Sequence, residues 1–142
     1  MRVVFDTNVL LVALPSHSPF YALYRAVLDG RLTLFVTNET LTEYEEQISR
    51  RLGIARTDVQ LRELLNLPSV QELTVYYQWH LLADVDADDD KFVDCAIACG
   101  ADYLVTNDRH FDRLRNIAFP VVNIIRAEDF LQLLQNQLPS NP

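Results

Sequence analysis

The sequence predicts an α/β sandwich built on a mainly parallel sheet of four or five strands. Short β-type runs alternate with helical patterns along the whole chain, the order in which crossover helices join parallel strands. A second pointer is Asp86 to Asp108, reading DADDDKFVDCAIACGADYLVTND. There Phe92, Val93, Ala96, Ile97 and Cys99 fall at the spacing of an apolar helix face, Gly100 stands where a helix ends, and Tyr103 to Thr106 form a β-type run. The third is size: 142 residues at 49% apolar content suit one globular domain over residues 1–137, with Leu138 to Pro142 a frayed tail.

The elements follow in order. Arg2 to Phe5 reads as a buried strand, and Val9 to Leu14 as a short helix stopped before Pro15. Ser16 to Pro19 is a turn, and Phe20 to Leu28 a helix ended by Asp29-Gly30. Leu32 to Val36 is the second strand, after which Thr37 caps a helix reaching Leu52 with Leu41, Tyr44 and Ile48 on one face. Within it, Thr40-Leu41-Thr42-Glu43 fits a capping box. Thr57 to Leu67 reads as another helix, and Val70 to Tyr77 as a strand or extended lead into the acidic loop. Arg109 to Leu114 makes a turn or short helix, Val121 to Ile125 the last strand, and Ala127 to Leu134 an amphipathic last helix. Trp79 and His80 read as isolated packing or surface residues, and His17 and His110 show no ligand spacing.

Composition excludes several function classes. No segment approaches a membrane span and the N-terminus does not resemble a secretion signal, so a cytoplasmic protein with no membrane partner is expected. Cys95 and Cys99, one helical turn apart on the apolar side, read as reduced core thiols. A formal net charge of -8 argues against a general polyanion binder, so a nucleic-acid substrate requires intervening cations. The exception is Arg50 to Arg62, where Arg50, Arg51, Arg56 and Arg62 face one acid, Asp58.

Four separated acids converge in this topology. Asp6 ends the first strand, Asp108 follows the strand at Tyr103, Asp90 lies near a helix start, and Glu43 belongs to the helix after the second strand. Strand C-termini and adjacent helix starts share one edge, where ligands of α/β folds bind. Two of them have a plainer reading: Asp6 suits a helix cap and Glu43 a solvated helix face. Together, carboxylates about 4 Å apart repel by roughly 4 kcal/mol per pair at an effective dielectric near 20, so they stay ionised only with a cation. An all-oxygen set points to Mg²⁺ or Mn²⁺ over Zn²⁺, and so to phosphate chemistry. Asp86-x-Asp88-x-Asp90 begins like a calcium loop, but Lys91 replaces its glycine and Ile97 its final glutamate.

At these residues the chain resembles the PIN domain family of metal-dependent ribonucleases, in particular the VapC-like bacterial members that are toxins of toxin-antitoxin systems. The matching pieces are Val4 to Leu10, Thr37 to Glu46, Asp86 to Ala98 and Ala101 to Asp108, in that order. The resemblance implies a three-layer α/β/α fold and a catalytic, metal-holding quartet of Asp6, Glu43, Asp90 and Asp108, with Asn8 and Thr106 orienting it. Asp88, Asp89 and Asp94 stand close enough for one to ligate instead of, or beside, Asp90. The implied reaction is hydrolysis of an RNA phosphodiester by metal-bound water, with Arg50, Arg51, Arg56, Lys91 and Arg109 as candidate backbone contacts. An antitoxin protein and a homodimer are implied as partners. One rival is a PIN-fold module that binds nucleic acid or a partner with little turnover. Another is an aspartyl phosphohydrolase with Asp6 as nucleophile, disfavoured because Asn8 stands where such enzymes carry a second aspartate.

Overall fold

The computed structural model describes residues 1–137, and the expected tail from Leu138 lies outside them. Five parallel strands form the sheet: β1 (Arg2–Phe5), β2 (Thr33–Val36), β3 (Val70–Glu72), β4 (Tyr103–Val105) and β5 (Ile124–Ile125). Their spatial order is β3-β2-β1-β4-β5. Six helices connect and flank them: α1 (Thr7–Ala13), α2 (Tyr21–Leu28), α3 (Asn38–Leu52), α4 (Ile54–Leu65), α5 (Asp90–Cys99) and α6 (Ala127–Asn136). Short 3-10 segments occupy Ala87–Asp89 and Arg109–Asn116. The three-layer α/β/α fold expected from the sequence is the one observed.

The central strand β1 is apolar and fully buried at Val3, Val4 and Phe5, as a strand covered on both faces must be. Its register is set by Val3 opposite Leu34 on one side and Tyr103 on the other. Tyr44 of α3 is buried and donates its hydroxyl to the Phe5 carbonyl at the end of β1. It also packs on Phe92 of α5, with ring centroids 6.1 Å apart. One buried tyrosine thus ties two helices to the strand that delivers Asp6.

Three local expectations are corrected. The capping box of α3 pairs Thr37 with Thr40, not Thr40 with Glu43: each threonine hydroxyl accepts the other's backbone N–H. Glu43 is thereby left free for another partner. Helix α4 starts at Ile54, earlier than Thr57, because Gly53 at φ 81° turns the chain and the Thr57 hydroxyl satisfies the Gly53 carbonyl. Strand β3 ends at Glu72, and the chain from Leu73 to His80 continues outside regular structure. At Gly100 the expected left-handed stop of α5 is present, with φ 62°.

Candidate functional site

The chain steps from β1 to β2 to β3 in one direction and then returns to place β4 on the other side of β1. This reversal leaves a crevice outside the C-terminal ends of β1 and β4, the place where open α/β sheets bind ligands. Asp6 follows β1 and Asp108 lies just beyond β4.

Asp6 takes the cap position of α1, and its carbonyl accepts the N–H groups of Val9 and Leu10. Its side chain makes no capping bond. The carboxylate instead accepts a 2.8 Å hydrogen bond from the Thr106 hydroxyl, whose oxygen accepts the Asp108 N–H at 3.1 Å. The plain capping reading of Asp6 therefore fails for its side chain. Only 5% of the residue is exposed. Burial raises its carboxyl above the ordinary range, against the lowering effect of Thr106, and the charges of Asp108 and Glu43 raise it further.

The acidic loop supplies the next carboxylate. Asp86 caps the 3-10 turn by accepting the Asp88 N–H at 3.1 Å, which brings Asp89 around toward the crevice. Burial, then the charges of Asp6, Asp86 and Asp108, push the Asp89 carboxyl up to about 7. Its Oδ2 is buried and has no hydrogen-bond partner among the described residues. Asp86, Asp89 and His110 each bring a ligand atom within 4.8 Å of the others. His110 Nδ1 lies 3.5 Å from Asp108 Oδ1 and 3.7 Å from Asp86 Oδ2, and its backbone N–H is capped by Asp108. A buried carboxylate oxygen left without a donor among like charges is costly alone and suited to a cation. The oxygen-rich donor set fits a hard divalent ion.

Asp90 and Asp94 hold the loop before α5. Both are buried, and they accept the backbone N–H groups of Leu82 and Trp79 at 2.8 and 3.0 Å. One turn apart on α5, they fasten residues 79–82 to the helix. Burial raises the Asp94 carboxyl, partly offset by the Trp79 N–H. With Glu39, Asp88, His80 and Lys91 they line a cleft of about 450 Å³. Glu43, half-buried on α3, holds Lys91 Nζ at 3.4 Å. Asn8 is exposed on the first turn of α1, and no hydrogen bond joins it to a carboxylate among the described residues.

Thus Asp6, Asp89, Asp108 and Thr106 are brought together, with Glu43 close enough for Asp6 to feel its charge. The helix α3 carries Arg50 and Arg51 roughly 10 Å along its axis from Glu43, and exposed Arg56 follows on α4. Arg109 is exposed beside Asp108. Sequence reasoning missed Asp86 and His110. For His110 the absence of a second histidine at ligand spacing misled, since its companions are carboxylates 21 and 24 residues earlier in the chain.

Fold and site together define a parallel α/β protein with a carboxylate cluster at its topological switch point. The family profile described as PIN domain matches residues 2–110. The chain belongs to the PIN domain family. Among solved structures, a chain of VapBC2 from Rickettsia felis, crystallised bound to a DNA fragment from its promoter, superposes with a TM-score of 0.63 at 18% identity, covering 89% of this chain and 98% of that one. DNA-bound VapBC from Salmonella typhimurium gives the same values. The PIN domain endonuclease Utp24 superposes with a TM-score of 0.51 at 19% identity over 88% and 84% of the two chains. These likenesses concern the fold. No curated protein matches the sequence. Among the described residues no helix is long and apolar enough to cross a membrane.

Proposed function

We propose that this protein is a divalent-cation-dependent endoribonuclease acting as the toxin of a toxin-antitoxin pair, with Mg²⁺ or Mn²⁺ as its cofactor. The observation that carries this reading is the buried, unpaired Oδ2 of Asp89 facing the charges of Asp6 and Asp108 at the switch point. Asp6, Asp89 and Asp108 would hold the ion, with Glu43, Asp86 and His110 at its margin. Asp89 takes the ligand role that the sequence favoured for Asp90, while Asp90 and Asp94 fix the loop. When bound, the ion supplies an activated water at neutral pH and neutralises charge on the scissile phosphate.

The chain's own residues do the remaining work. Thr106 orients the Asp6 carboxylate through its hydroxyl and keeps Asp108 at a fixed distance through its oxygen. Without the ion the Asp89 carboxyl holds its proton up to about pH 7, so a cation bound there would have to displace that proton. Lys91 and Arg109 flank the cluster and offer phosphate contacts; Arg50, Arg51 and Arg56 lie at the α3–α4 junction, along the path of a longer strand. The structural likeness to VapBC complexes supports an antitoxin protein as partner; a second copy of this chain and a cytoplasmic location complete the proposed reading.

The test is cleavage of an RNA containing paired and unpaired segments by the purified protein with Mn²⁺ or Mg²⁺. Cutting that EDTA and Asp6→Asn each abolish is the expected result. An intact protein that binds the cation yet leaves the RNA whole would favour the partner-binding module, and hydrolysis of a small phosphate monoester through a covalent aspartyl phosphate would favour the phosphohydrolase.

A further inference from the structure

We propose that Tyr77, Trp79 and Phe119 form a platform on which unpaired bases of a single RNA strand stack as it enters the carboxylate site. The substrate class rests on the nuclease reading; the platform itself rests on geometry. Trp79 packs edge-to-face on Tyr77, with centroids 4.7 Å apart and planes at 69°. On its other side it meets Phe119 at 6.0 Å and 81°. Tyr77 and Phe119 nonetheless remain 65% and 79% exposed, and Tyr76 beside them 94%. Large rings held in place by one another but left in water give fixed π faces at little ordering cost, which is what base stacking uses.

Both segments that carry the rings are tied to elements that border the carboxylate cluster. Trp79 and Leu82 donate their N–H groups to Asp94 and Asp90 at the start of α5. Between them His80 is held at φ 56°, a left-handed backbone that a non-glycine residue adopts where its surroundings fix it. Phe119 follows the 3-10 segment that Asp108 caps. Arg113 of that segment pairs with Asp84, joining the two stretches. The platform thus stands on two segments tied to the start of α5 and to the segment that follows Asp108.

Charge favours a nucleic-acid strand as the occupant. Of the arginines in the segment Arg109–Asn116, Arg113 pairs with Asp84 and Arg115 with Asp112, while Arg109 is exposed and makes no ion pair among the described residues, in a chain of net charge -8. Exposed Gln78 and His80, which line the cleft shared with Asp88, Asp90 and Lys91, offer base-edge hydrogen bonds next to the rings, and Arg109 and Lys91 offer phosphate contacts.

Trp79 is the sole tryptophan, so its emission reports on the platform directly. The experiment titrates a 12-nucleotide oligoadenylate into the Asp6→Asn protein with Mg²⁺ present, which keeps the strand intact, and repeats this with the same sequence as a duplex. Cleavage by the wild-type protein is measured in parallel. The expected result is saturable quenching by the single strand, little by the duplex, and an apparent affinity about tenfold weaker in Phe119→Ala and in Tyr77→Ala, whose exposed positions leave folding untouched. Absent quenching, equal quenching by the duplex, or unchanged affinity in both variants would overturn the platform. So would emission that shifts with protein concentration alone, which assigns the face to a second copy. Quenching without any cleavage would keep the platform and discard the nuclease; cleavage without quenching would do the reverse.

Discussion

At the scale of single residues, the account turns on which carboxylates share charge. Asp6 and Asp89 are held above the ordinary carboxylate range, Asp89 at about 7, in each case through burial first and neighbouring acids second. The native state therefore keeps protons that the unfolded chain has already released. With more protons bound when folded, stability falls as pH rises from the ordinary carboxylate range near 4 to about 7. Asp84, held low by Arg113, acts in the opposite sense but only below that window. Thermal melting without divalent ions should thus show a lower Tm at pH 8 than at pH 5, and Asp89→Asn should flatten the slope. Adding Mn²⁺ should raise Tm by more at pH 8, since ligands must shed protons to bind it. A Tm independent of pH, or a larger Mn²⁺ effect at pH 5, would contradict the coupling. At this scale Asp6, Asp108 and Thr106 were legible because each stands at a strand end. Not legible was that Asp89 shares charge with Asp6 and Asp108 while Asp90 accepts the Leu82 N–H, because adjacent residues at a turn point in different directions.

Secondary-structure elements were legible where local chemistry and burial agree. Both ends of α5 and the start of β1 match the apolar spacing and the glycine stop read from the sequence. Boundaries moved where a side chain outside the pattern satisfied the backbone. Thr57 closing on Gly53 lengthens α4, and the Thr37–Thr40 pair leaves Glu43 free to meet Lys91. The reciprocal cap fixes where α3 starts beside β2, and with it how near Glu43 comes to Asp6. Replacing Thr37 with alanine removes one acceptor for a buried N–H and should cost about 1 kcal/mol, read as a lowered urea midpoint with an unchanged slope. A midpoint equal to that of the parent protein would show that the cap is dispensable.

For the whole molecule, alternation of strands and helices was enough to read a parallel sheet, but not to read its order. The return of the chain past β1 to form β4 is a long-range event with no local signal, and it is what gathers Asp6 and Asp108. Nor did sequence spacing show that Trp79, read as isolated, would meet Phe119 forty residues further along. The net charge of -8 gains its meaning at this level too: an acidic protein with an acidic crevice can approach RNA only through a bound cation and its few basic edges. The central claim is that the switch-point carboxylates hold a cation on which RNA hydrolysis depends, with Asp89 among its ligands. The most direct measurement is the initial rate of RNA cleavage as Mn²⁺ is raised, for the wild-type, Asp89→Asn and Asp90→Asn proteins. The account predicts a saturable rise in the wild type, a loss of at least tenfold in activity or Mn²⁺ affinity in Asp89→Asn, and a smaller effect in Asp90→Asn. Cleavage indifferent to Mn²⁺, or an Asp89→Asn protein that responds like the wild type, would contradict it.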